Sequence, residues 1–151
     1  MRSDRSQSAT AAWNKDDLFG SWRVVSAKGY QVDADGTKTE NETALDGVII
    51  FTPQHRMIAF VTHLGRKPAK DDAETLALFR TMVAYTGRFT LEPGKYQVKL
   101  DFTSSQMNLD EPQVRLYRIE GDTLTIDVPE HNSLFDPGKR NSNQLIAIRE
   151  K

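Results

Sequence analysis

Apolar and polar residues alternate in short runs along most of the chain, and turn-forming residues separate the runs. Tyr96, Val98, Leu100 and Phe102 alternate with Gln97, Lys99, Asp101 and Thr103, the period of two expected of a half-buried strand. Residues 21–32 are rich in Val, Trp and Tyr and read as strand. Asp33-Ala34-Asp35-Gly36 then reverses the chain, because Asp and Gly tolerate the left-handed backbone of a tight turn. Residues 37–46 are polar and read as a loop or weak edge. Residues 47–52 are a continuous apolar strand, and Pro53-Gln54-His55-Arg56 turns it into a second strand over 57–64. Residues 84–91, 114–119, 124–128 and 143–149 supply further strands, with turns at Glu92-Pro93-Gly94 and Glu120-Gly121-Asp122.

The period changes between residues 70 and 82. Leu76, Phe79 and Met82 or Val83 recur at three-to-four spacing behind Asp71, Asp72 and Glu74, which suit a helix N-terminus. One short helix is predicted, its apolar face capping one mouth of the domain. Asp16-Asp17-Leu18-Phe19 reads as a short helical or turn segment closing one end of the domain. Short strands joined mostly by hairpin turns form an antiparallel meander, and closing it into a barrel removes exposed edges. The expected fold class is therefore all-β: an antiparallel β-barrel with one short helix.

Composition narrows the function classes. The 151 residues suit one domain, expected over 13–151, behind a polar tail over 1–12 that is expected to be disordered and does not read as a secretory signal. Twenty basic residues stand against 21 acidic ones, so a basic surface for nucleic acid or anionic membrane is not expected. No cysteine is present, which excludes disulfides and thiolate chemistry and agrees with a reducing, cytoplasmic setting. The sequence has no apolar run of membrane-spanning length. Dinucleotide, phosphate-loop and serine-elbow motifs are absent, and no histidine pair has metal-ligand spacing. No cofactor and no metal are expected.

Several segments, taken in order, resemble the small bacterial and fungal lipocalin-like proteins. They are Gly20-Ser21-Trp22-Arg23-Val24-Val25-Ser26, Phe51-Thr52-Pro53, Tyr85-Thr86-Gly87-Arg88-Phe89, Gln113-Val114-Arg115, 119–126 and 145–149. The resemblance implies an antiparallel barrel of about eight or more strands around a central pocket. It also implies that Trp22 plugs the closed end and that Arg149, on the last strand, covers its ring. It says little about chemistry, since such folds serve binders and enzymes alike.

Candidate site residues depend on which strand face points inward. His63 shares a face with Met57, Ala59 and Val61, and at a pocket mouth its imidazole could act as a general base. As a strand-end residue beside Arg66 and Lys67 it would be ordinary surface. His55 reads as a solvent-exposed turn residue and His131 as a loop residue. Arg115 and Tyr117 share a face; an inward Arg115 could hold a carboxylate or enolate oxygen, offset by Asp101 or by the ligand itself. Tyr85 and Arg88 raise the same question of phase. The catalytic candidates are thus His63, Tyr85 and Arg115, and the ligand-binding candidates are Met57, Arg88, Asp101, Phe102 and Tyr117. Binding of a small, largely apolar molecule in the lumen is the expected function. The alternative is a cofactor-free isomerase, cyclase or hydratase using acid and base groups of the same pocket. The expected partner is a small hydrophobic molecule, with a homodimer as a further arrangement the sequence allows.

Overall fold

The computed structural model describes residues 13–105 and 107–151; the expected tail over 1–12 lies outside them. A 3₁₀ turn, Lys15–Leu18, leads into β1 (Gly20–Val32), β2 (Lys38–Thr43), β3 (Leu45–Phe51) and β4 (Arg56–His63). Helix α1 (Asp72–Phe79) follows, then β5 (Met82–Glu92), β6 (Lys95–Thr103), β7 (Gln113–Glu120), β8 (Thr123–Asn132) and β9 (Arg140–Arg149). Every neighbouring pair is antiparallel. β9 returns to pair with β1 from Trp22 to Val32, so the sheet closes into an eight-stranded barrel. β2 and β3 lie end to end along the other edge of β1. Residues 38–43 are therefore strand although their side chains are polar, because ladder pairing to β1 uses backbone groups alone.

One end of the barrel is packed solid. Trp22, Leu18, Phe51, Met57, Leu124 and Ile126 are essentially inaccessible there. The indole N–H of Trp22 donates to the carbonyl of Leu18 at 2.9 Å, which satisfies its polar atom inside the core. Phe51 meets Phe89 and Tyr96 edge-on, at centroid distances of 5.4 and 5.1 Å. Two glycines set how closely the strands cross. A Cβ on Gly47 would lie 2.2 Å from the carbonyl oxygen of Phe60, and one on Gly87 would lie 2.2 Å from that of Lys99. No side chain fits at either position.

Three irregularities decide which residues face the lumen. The β1–β9 ladder shifts register between Val24 and Ser26, the β5–β6 ladder between Thr86 and Gly87, and the β8–β9 ladder between Val128 and His131. An extra residue at a bulge moves all that follows to the other face of the sheet.

Helix α1 begins at Asp71, whose carboxylate accepts the Glu74 amide at 2.8 Å. It connects β4 to β5 at the unpacked end but buries none of its residues. The expected cap is thus not formed by the helix. Its large apolar side chains, Leu76, Leu78 and Phe79, spread around two short turns and form no single stripe that could close a barrel mouth. Leu76 is left exposed, and Phe79 finds one partner, Phe135.

Candidate functional site

Opposite the Trp22 plug the barrel is hollow. A cavity of about 690 Å³ opens between the ends of β1, β4, β5, β7, β8 and β9. Ile49, Ala59, Val61, Val83, Val128 and Leu145 give it apolar walls, and Asn41, Asn132, Asn141 and Asn143 lie among the polar residues lining it. The size falls within the range of small-molecule sites, and an apolar wall with a few polar groups is their usual make-up.

Of the charged residues lining this cavity, Arg115 is the buried one among the described residues. It occupies β7 in phase with Tyr117, facing inward, and only 9% of its surface is exposed. Its guanidinium donates to the Val114 carbonyl at 2.9 Å and to the Gln113 side-chain oxygen at 3.5 Å. Both acceptors are neutral. Among the described residues no carboxylate forms an ion pair with Arg115.

His131 lines the same cavity. Its Nδ1 lies 3.0 Å from the carbonyl oxygen of Pro129, so in the neutral ring Nδ1 carries the proton and Nε2 keeps its lone pair. Burial pushes the imidazole below its ordinary pKa, and the charges of Arg115 and Arg140 push the same way, against the Pro129 contact. The loop expected around His131 is the end of β8, distorted where Pro129 breaks the ladder. A proline inside an otherwise strand-like run marks a bulge, and that was the available signal for His131.

Tyr85 is half-buried and faces the lumen from β5. His63 lies at the rim: it lines the mouth but is exposed, as its strand-end position allows. The cavity therefore brings together all three expected catalytic residues, with His63 outermost. Below them, Tyr96 is fully buried, and desolvation raises its phenol far above the ordinary value, so it stays neutral.

With the barrel and its cavity in place, comparison with known families adds one result. Residues 19–150 match the model of the lipocalin-like domain. The chain belongs to the lipocalin-like domain family. No curated protein matches it.

The lipocalin-like barrel places the other expected contacts elsewhere. Met57 and Tyr117 point inward but below the cavity, in the packed half. The Tyr117 hydroxyl accepts the Trp13 indole N–H at 3.1 Å, and burial raises its pKa against that bond. Arg88, Asp101 and Phe102 lie on the outside and correct the expectation that they touch a ligand. Asp101 pairs there with Arg56 at 2.8 Å, which holds its carboxyl below the usual range. Phe102 is 68% exposed, because Gly87 pairs with Leu100 and Thr86 with Phe102, leaving Asp101 as the extra residue. Phe60 is likewise on the outer face. His55, read as an exposed turn residue, is half-buried and stacks on Phe89 at 5.0 Å in the packed end.

The loop between β8 and β9 lines the cavity of the lipocalin-like barrel. Phe135 of that loop meets Phe79 edge-on at 5.9 Å, and the Arg80 guanidinium lies 5.7 Å from its ring centroid. Ser133, Leu134 and Phe135 line the cavity. Among the described residues no group of three or more His, Asp or Glu side chains is placed to hold a metal ion.

Proposed function

We propose that the chain binds a small, largely apolar molecule in the lumen of its barrel. The supporting observation is the 690 Å³ cavity with apolar walls, set above a core that is already closed by Trp22. A barrel filled by its own side chains would leave no such space. The test is native mass spectrometry of the purified protein after incubation with a metabolite extract and washing. A retained small molecule supports the reading. An empty protein across chemically diverse extracts counts against it.

A second reading, a cofactor-free isomerase, cyclase or hydratase, is favoured by one feature: Arg115, His131 and Tyr85 line one cavity. A buried cation can hold a developing oxyanion while a neutral imidazole moves a proton. On this reading His131, half-buried in the cavity and neutral, is better placed to take a proton than the exposed His63. Turnover of a retained molecule that His131→Gln abolishes, with the protein still folded, would favour it over simple binding.

A further inference from the structure

We infer that the molecule held in the lumen is a monocarboxylate, its apolar body against the cavity walls and its carboxylate on the guanidinium of Arg115. This rests on the lumen being the binding site and goes further by naming the ligand's head group.

The argument is one of satisfaction. A guanidinium has five N–H donors and no acceptor. Arg115 uses one at 2.9 Å on the Val114 carbonyl and one at 3.5 Å on Gln113. A buried charge with neutral partners and spare donors is costly, and folded proteins rarely leave one so. The nearby groups do not supply the missing charge. Tyr96 stays neutral through burial. Glu130 is taken by Arg140 at 2.8 Å, and Arg140 is held further by Asn132. Glu111 lies at the exposed rim and makes no ion pair with Arg115. A planar carboxylate matches the fork of a guanidinium in charge and in geometry, which an alcohol or an ester does not. The same cavity is walled by Val128, Leu145, Ala59 and Val61, so the rest of the molecule is expected to be apolar. Its length is bounded by the cavity, which suits a medium-chain or aryl-alkyl acid.

The test compares acids with their methyl esters. Decanoate, phenylbutanoate and dansyl-undecanoate, each beside its ester, are titrated by calorimetry or fluorescence against the wild-type protein, Arg115→Met and Arg115→Lys. The wild type is expected to bind at least one acid about 10- to 100-fold more tightly than its ester. Arg115→Met should remove that preference by weakening the acid and leaving the ester unchanged. Arg115→Lys should restore part of it. Thermal melting of Arg115→Met should show a fold no less stable than wild type, since a charge without a carboxylate partner has been removed; a marked loss would assign Arg115 a structural role and overturn the inference. Equal binding of acid and ester by the wild type overturns the head-group assignment and leaves the lumen reading standing. Absence of binding for every acid and ester overturns both.

Discussion

The Arg149 guanidinium lies 4.1 Å from the centroid of the Trp22 indole. The same guanidinium donates to the carbonyls of Phe19 at 3.0 Å and Asp17 at 2.5 Å. It therefore clamps the opening 3₁₀ turn over the plugged end of the barrel, where Trp22 and Arg149 are themselves partners in the ladder between first and last strands. Trp22→Ala should cost about 3–5 kcal/mol, the range for a large buried ring. Arg149→Met should cost less, about 1–2 kcal/mol, from the lost cation–π contact and carbonyl bonds. Denaturant unfolding of the two single variants and the double variant measures the coupling. A near-neutral Trp22→Ala would remove Trp22 as the plug.

The close crossing at Gly87 makes a second prediction. A Cβ there would meet the Lys99 carbonyl at 2.2 Å, so β5 and β6 would have to part. Gly87→Ala should cost about 3 kcal/mol or more, at the upper end for overpacking. A thermal melt within a degree of wild type would show that the strands can separate without loss.

Outward placement of Asp101 and Arg88 is open to a direct check. Asp101→Asn should leave retention of any lumen ligand unchanged, because the carboxylate pairs with Arg56 on the outer face. Its effect on stability should be small, as for exposed pairs in general, and smaller still at high salt. Loss of binding in this variant would mean that Asp101 reaches the lumen.

Stability should depend on pH through His131. Its folded pKa lies below the ordinary imidazole value of 6.5. The unfolded chain then binds the proton more readily than the folded one, so stability rises with pH across the interval between the two values. It is full above about pH 6.5 and declines as the pH falls toward the folded value. His131→Gln should flatten that part of the profile. The loss from Asp46, Asp101 and Asp122, whose carboxyls are held below their usual range by Arg23, Arg56 and Lys151, falls at lower pH and should remain. An unchanged slope near pH 6 in the variant would place the ring in water.

Phe135 lines the cavity beside Phe79 and Arg80. Phe135→Ala should speed both association and dissociation of a bound probe such as dansyl-undecanoate, with a smaller change in Kd. Stopped-flow fluorescence reads both rates. Rates equal to wild type would put the entrance elsewhere.

Much of this architecture is written locally. The period of two from Tyr96 to Leu100, the apolar run over 47–51 and the Asp-Gly and Pro-Gly turns each fix a strand or reversal within a few residues. Trp22 and Arg149 could be placed at opposite ends of the sequence and one end of the barrel, because closing a meander brings first and last strands together. Inward phase is different in kind. The period that seats Leu100 inside would also seat Phe102 inside, yet Phe102 faces out because the β5–β6 ladder gains a residue at Asp101. A bulge is a property of two strands in register, and neither strand's sequence contains it. Pro129 does the same for His131, bringing into the lumen a side chain that local sequence assigns to a loop. The sequence by itself determined the strands, the turns and the plug, since short-range sterics and apolar periodicity act within each segment. Tertiary structure alone decided that Arg115 lies buried without a carboxylate partner among the described residues, because that depends on which side chains the closed barrel brings around it.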